Sequence, residues 1–445
     1  MRRHGWFLGV LGIGALLRVV TMLGYRPALW FPDSYTYIVT VMRPRPDLVR
    51  PAGYSMFIKL FEPFHSFAVV TAVQHLLGLA TGVLIYVAAL RTKRWIATLA
   101  AVPVLLDAYQ IELEHLLVSD TLFLFLVVCA VFLALRTELS WRTALAIGLL
   151  LAAASLTRTV GQPLILLLAA WLLVRKKVRL TGVMLAAALV PIVAYGAWFY
   201  ATYQRVGIVG ANGVFLYART MSFADCARMR PPPDLAVLCD PRPPSERPPS
   251  QEYVWSRDSP LVKLPGDTFT AHNDALAGRF ARLAIMSQPL DYAGSVLSEL
   301  ARTFTWGRPV YPDLEIYTYY QFPAATPPPP GRHAAQLGVE LAGKYEQGDI
   351  STQVVEPFAG WMRAYQSFAR LPGTLLLVIV LAPPVVWVAR RRRGSVPEWV
   401  LPWTGAVALL VMPPMLAEFD YRYVLPAVPL ACLAAALCTR APRDS

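Results

Sequence analysis

Charge is what this chain has little of. Asp, Glu, Lys and Arg make up only 16% of its 445 residues, against 56% hydrophobic, and that much apolar surface exceeds what one water-soluble core can bury. A soluble globular protein is excluded. Lysine is scarcer still, 6 residues against 35 arginines, and the net charge of +13 sits in short basic clusters between apolar runs. Such clusters report membrane topology and give no reason to expect a nucleic-acid partner. The sequence also lacks a phosphate-binding P-loop, a dinucleotide glycine fingerprint, a nucleophile elbow and any cysteine pair at metal-ligand spacing. Nucleotide-driven transport therefore has no support.

What the sequence does hold is long apolar runs, among them Thr121 to Leu135, Leu164 to Val174 and Leu375 to Val388. With their flanks these approach the length that crosses ~30 Å of hydrocarbon. A spanning-length window predicts an all-α polytopic membrane protein with about ten transmembrane helices. They begin near Trp6, Phe67, Trp95, Asp120, Thr143, Gly161, Thr181, Pro372, Glu398 and Val424. The first run has no small-residue cleavage site and continues into Tyr25, Arg26 and Pro27, so it reads as a retained helix and not a signal peptide. If Arg2 and Arg3 are cytoplasmic, every inward connection is basic: Arg91/Lys93/Arg94, Arg136/Arg142, Arg175/Lys176/Lys177/Arg179 and Arg390 to Arg393. That orientation predicts a multi-pass plasma-membrane protein whose chemistry lies on the extracytoplasmic side.

Three parts follow: a transmembrane core over 1–204, an extracytoplasmic cap over 205–370 and C-terminal membrane helices over 371–445. The cap holds 19 of the 38 prolines, including Pro327 to Pro330, which predicts a loop-rich unit. Two amphipathic helices are expected in it, one with Leu276, Phe280 and Leu283, the other with Tyr292, Val296 and Leu300. A third, with Phe358, Trp361, Tyr365 and Phe368 on one side, is expected along the membrane interface before the eighth span. Of five cysteines, Cys226 and Cys239 share the cap and are expected to form a disulfide.

The candidate chemistry gathers outside the spans. Asp33, in Phe31-Pro32-Asp33-Ser34-Tyr35, places a carboxylate just beyond the first helix, where it can act as a general base or cap a helix. Arg50-Pro51-Ala52-Gly53-Tyr54 is a rigid turn leading into another short apolar stretch. Glu112, Glu114 and His115 crowd the loop before Asp120, which opens the fourth span. These groups could hold a divalent cation; capping of the fourth helix is the plainer alternative for Asp120. Arg18, Arg158 and Arg422 are expected at one membrane depth, where a guanidinium fork suits a phosphate. Snorkelling, or pairing of Arg422 with Glu418 and Asp420, is the plainer alternative.

Asp33, the Arg50 to Tyr54 turn, Gln74, Leu156-Thr157-Arg158, Val118-Ser119-Asp120-Thr121-Leu122-Phe123 and Arg422-Tyr423-Val424-Leu425-Pro426 together resemble the GT-C glycosyltransferases that use polyprenyl-phosphate sugars. The resemblance is to the dolichyl-phosphate-mannose-protein mannosyltransferase and aminoarabinose-transferase branch. It runs from the first helix to about Thr202 and resumes at the C-terminal spans. It implies Asp33 as catalytic carboxylate and a second acidic site at Asp120, with Glu112 and Glu114 as alternatives. On this reading Arg422, Arg158 and Arg18 hold the donor phosphate, and Arg50, Tyr54, Gln74 and His115 bind substrate. The implied activity is inverting transfer of a hexosyl or pentosyl group from a polyprenyl-phosphate donor to a hydroxyl acceptor of the cell envelope. No nucleotide is needed, and a divalent cation is possible. The rival reading is a transporter or lipid flippase, but no repeated halves are present and the charges gather at outer helix ends.

Overall fold

The computed structural model describes residues 4–326, 328–329, 331, 333–390 and 396–440. Arg2, Arg3, Pro327, Pro330, Arg391, Arg392 and Arg393 lie outside the described residues. A helix stands at each of the ten predicted runs. Four of these, Gly5–Gly24, Phe67–Ala89, Val178–Tyr203 and Tyr421–Cys438, are long and apolar enough to cross a membrane on their own. A fifth candidate is a bent pair: Arg94–Leu106 and Ala108–His115 meet at a bend of 48°. Pro103 weakens the first half, and Asp107 ends it by accepting the Tyr109 and Gln110 N–H groups as the cap of the second. The other five, such as Asp120–Ala134 with 15 residues, are apolar but short, since 15 residues rise only about 22 Å. Spanning length is thus reached by four or five helices, not ten.

In chain order the N-terminal helices are α1 (Gly5–Gly24), α2 (Pro32–Met42), α3 (Gly53–Lys59), α4 (Phe67–Ala89), α5 (Arg94–Leu106), α6 (Ala108–His115), α7 (Asp120–Ala134), α8 (Trp141–Thr157), α9 (Gln162–Val174) and α10 (Val178–Tyr203). Small and branched apolar side chains, such as Ala97, Ala101, Val127, Ile147 and Ala154, pack the bundle interior with almost no exposure. Leu16, Leu166, Val190 and Val193 are left on the outside, as expected of helices whose outer faces meet lipid. At one end the basic turns are tied together. Arg91 pairs with Glu398 at 2.7 Å, Arg440 pairs with the same carboxylate at 2.8 Å, and Arg175 donates to the Ala134 and Arg136 carbonyls.

At the opposite end α2 and α3 lie beside the segment expected to form the cap, 205–370, whose longer helices are α11 (Asn212–Thr220), α12 (Ala271–Ser287), α13 (Pro289–Arg302), α14 (His333–Glu346) and α15 (Phe358–Gln366). Its core holds Tyr217, Tyr253, Leu276 and Phe280, and Cys226 and Cys239 are joined by a disulfide. A two-residue antiparallel pairing, β1 (Tyr25–Arg26) with β2 (Gln353–Val354), fastens the end of α1 to the cap. α15 turns Ala359, Met362 and Gln366 inward and leaves Trp361 and Phe368 exposed. Trp361 and Phe368 are thus available to a membrane interface, while Tyr365 packs inward and donates to the Leu106 carbonyl. The last helices are α16 (Gly373–Ala389), α17 (Val400–Leu416) and α18 (Val428–Cys438), the last entered through 3₁₀ turns from Tyr421.

Candidate active site

Pro32, with φ fixed by its ring, opens α2, and the Phe31 N–H donates to Ser34 Oγ at 3.0 Å. Phe31 is the N-cap and Asp33 lies one step inside the helix, so the helix-cap reading of Asp33 does not hold. Its carboxylate meets guanidinium groups from two other parts of the chain. Arg50 Nη2 donates to Asp33 Oδ1 at 2.5 Å, and Arg422 Nη2 lies 3.5 Å from Oδ2. Arg50 Nη1 also donates to Thr36 Oγ1 at 3.1 Å, and the Thr36 hydroxyl donates to the Asp33 carbonyl. The charged fork is thereby fixed at two points.

The turn carrying Arg50 is built by Asp47, whose Oδ1 accepts the Val49 and Arg50 N–H groups at 2.8 Å each. Pro51 follows, and Gly53 then presses on the backbone of Leu156 and Thr157; a Cβ at this position would overlap the Leu156 carbonyl. The turn is thereby seated against the end of α8, where Arg158 is the C-cap. Arg158 forms an ion pair with Asp120. Its guanidinium lies 5.2 Å from the Tyr423 ring centroid, and that of Arg422 lies 5.0 Å from the same centroid. Arg422 is held by the turn that Asp420 caps, Oδ1 accepting its N–H at 3.0 Å, and it stacks 4.7 Å from the Phe31 ring. Glu418 is committed elsewhere, to the Ser250 and Gln251 N–H groups.

Asp33, Arg50, Arg158 and Arg422 line one cavity of about 400 Å³ with Tyr37, Ser119, Asn212, Phe215 and Tyr423. Asp120 is buried behind Arg158 and does not line it. The three arginines are matched by Asp33, Asp120 and Asp420, whose Oδ2 lies 3.8 Å from Arg422 Nε, so the cluster is formally balanced, with three guanidinium groups and only the Asp33 carboxylate turned to the cavity. The Tyr37 hydroxyl donates to Ser119 Oγ at 3.2 Å. Burial and then the Asp33 charge push its pKa up, so it remains a neutral donor. Arg50 is held above its ordinary value: burial opposes its charge, but Asp33 and Tyr37 more than offset this.

Five other sequence candidates lie in a separate buried network. Arg18 makes a bidentate pair with Glu114, 2.7 Å on each side, and donates its remaining hydrogens to the Gly14, Leu105 and Val104 carbonyls. Glu114 also lies 3.0 Å from His75 Nδ1 and approaches α4 where Gly78 leaves room for it. His115 is spent on His75 and the Tyr25 carbonyl, at 3.0 and 2.6 Å. Gln74 donates to the Glu114 and Leu116 carbonyls and accepts from the Tyr54 hydroxyl at 2.6 Å. These groups cross-link α1, α3, α4 and α6. Glu112 is also buried and lines no part of the cavity. Among the described residues no three His, Cys, Asp or Glu side chains converge as metal ligands, so no step is assigned to a cation.

Tyr37, Ser119, Asn212 and Phe215 are lining residues that sequence reasoning did not single out. Ser119 and Tyr423 sit inside motifs whose charged members drew the attention. Asn212 and Phe215 come from the cap, where neither apolar periodicity nor charge marks them.

No protein-family model matches this sequence, and no curated protein matches it. Among solved structures it is similar to the S. cerevisiae protein O-mannosyltransferase Pmt1-Pmt2 complex bound to the sugar donor, at 17% identity over 50% of this chain, with a TM-score of 0.36. The chain covers 36% of that protein's length. It is also similar to ArnT from Cupriavidus metallidurans, bound to undecaprenyl phosphate and in the apo state. Identity is 15% in both, over 97% and 99% of this chain and 78% of the other, with TM-scores of 0.36.

Proposed function

We propose that this chain is a membrane glycosyltransferase that moves a sugar from a polyprenyl-phosphate donor to a hydroxyl acceptor. The observation that carries the reading is the single cavity in which one carboxylate, Asp33, faces the guanidinium groups of Arg50, Arg158 and Arg422. The acceptor O–H gives its proton to Asp33 as its oxygen bonds to the anomeric carbon. The bond from that carbon to the phosphate oxygen breaks on the opposite face, so configuration inverts. Negative charge grows on the departing polyprenyl phosphate, where Arg158 and Arg422, converging on Tyr423, stabilise it. Because the charge is greatest as the bond breaks, their contribution is to the rate as well as to binding.

The sequence motifs of the GT-C glycosyltransferases support the same assignment. The cavity-bearing end opposes the basic turns, which supports an extracytoplasmic site on a plasma-membrane protein, with 205–370 as cap over a 1–204 core and the helices of 371–445. The test is product analysis of purified protein given polyprenyl-phosphate sugars and extracted envelope acceptors. An inverted glycosidic product with release of polyprenyl phosphate is expected. Movement of intact donor across a vesicle bilayer without bond cleavage would instead establish a flippase. Orientation is checked with Asp258→Cys, at an exposed cap position, which an impermeant thiol reagent should label in intact cells. Lys177→Cys should be labelled only after lysis.

A further inference from the structure

Across the Asp420–Tyr423 turn from the Asp33 cavity lies a second pocket of about 50 Å³, onto which Arg302, Arg308 and Arg370 all open. The turn forms part of the wall between the two, presenting Tyr421 to the smaller pocket and Arg422 to the larger. Arg50, Arg158 and Arg422 each have a carboxylate partner. Among the described residues, none of the three arginines of the smaller pocket forms an ion pair. Arg302 and Arg308 each keep a buried Nε–H without an acceptor, and so does the Thr303 hydroxyl, a lining group that is 5% exposed. Buried donors left unmatched cost free energy unless a ligand or water accepts from them.

The donors are nevertheless held in place. Arg308 lies between the Tyr109 and Tyr421 rings, 3.5 and 4.5 Å from their centroids, and Arg302 stacks 4.1 Å from that of Tyr311. Stacking fixes the planes of the guanidinium groups and leaves their edges to donate. Asp107 is the carboxylate on the pocket wall, but its oxygens already accept the Tyr109, Gln110 and Leu371 N–H groups. Glu112 is the other acid within reach of Arg308. Glu299 is the acid nearest in effect to Arg302, but it is already paired with Arg219 at 3.4 Å. Leu376, Val424, Leu425 and Val428, at the cap-side ends of α16 and of the last span, form its apolar side. The volume exceeds the ~15 Å³ that one water requires and admits a phosphate-sized group.

We propose that this pocket binds a phosphate ester anion, with its oxygens on Arg302, Arg308, Arg370 and the Thr303 hydroxyl and its organic part toward Leu376 and Val428. The proposal is independent of the sugar-transfer reading, since none of these side chains lines the Asp33 cavity. To test it, delipidated full-length protein in a neutral detergent is titrated with short-chain phosphatidic acid, with phosphatidylcholine of the same chain length, and with inorganic phosphate. Bound copies are counted by native mass spectrometry. Arg302→Gln/Arg370→Gln should remove one phosphatidic acid per chain or weaken it about tenfold or more, the loss of charge-assisted contacts. Arg302→Lys/Arg370→Lys should keep part of it, and Arg50→Gln/Arg422→Gln should leave that copy in place. The single Arg370→Gln variant gives the same direction with a smaller change. Competition by inorganic phosphate identifies a site for free phosphate; its absence identifies a lipid-borne one. Folded glutamine variants that bind as wild type does, or phosphatidylcholine that binds as well as phosphatidic acid, would overturn the proposal.

Discussion

Arg422 Nη2 stands 3.5 Å from Asp33 Oδ2, which brings the mouth of the last helix onto the first turn of α2. With Arg50 on the other oxygen at 2.5 Å, the carboxylate is gripped from both sides.

Asp33→Asn preserves size and removes the base. Transfer should fall by a factor on the order of 10²–10⁴, with yield and melting temperature close to wild type. A well-folded Asp33→Asn protein that retains most of its transfer activity would mean that the base lies elsewhere.

Arg422→Ala should weaken donor binding about tenfold to a hundredfold, the equivalent of a charge-assisted hydrogen bond of roughly 1.5–3 kcal/mol. Arg422→Lys should restore only part, since an ammonium lacks the fork. Unchanged donor affinity in detergent would confine Arg422 to positioning Asp33.

Arg18→Ala should behave differently, because it strands the Glu114 carboxylate, which is fully buried. Breaking one side of such a pair costs about 3–5 kcal/mol. The expected signature is a large drop in melting temperature, and whatever protein remains folded should bind donor normally. Loss of donor binding at unchanged stability would return Arg18 to the phosphate site.

Glu418 joins the cap to the membrane helices and should make that junction pH-sensitive. Burial raises its pKa from 4.5 to about 7, with Glu299 and Asp313 adding to the effect and the Ser250 and Gln251 N–H groups opposing it. A carboxyl raised on folding is stabilising while protonated, so its contribution is complete below about pH 4.5 and is lost as pH rises to about 7. Thermal melts across that window should decline, and Glu418→Gln should flatten the decline. An identical slope in the variant would assign the effect to other groups.

The elements of this fold were legible wherever apolar runs were uninterrupted: every predicted run is a helix. The number of spans was less so: four or five candidates reach spanning length, and the other apolar helices are too short to do so alone. In the site, Asp33, Arg50, Arg158 and Arg422 were legible because each is a charge beside the end of an apolar run, within short motifs that include Pro32, Pro51 and Pro426. Arg18, Gln74 and Glu114 misled because position along a helix gives depth but not the direction in which a side chain points. They turn toward the seams between α1, α4 and α6. In α15 the aromatic periodicity predicts an interface face, and Trp361 and Phe368 are exposed while Tyr365 turns to the Leu106 carbonyl.

Gly53 gives the site a dimension that side-chain packing does not control. Because its Cα rests on the Leu156 carbonyl and Thr157, the reach from Arg50 to Arg158 is measured by backbone against backbone. Exchanges of one aliphatic residue for another in the bundle interior can alter helix tilt and stability while leaving that ruler intact. A single methyl group at position 53 lengthens it, and both charges move apart together.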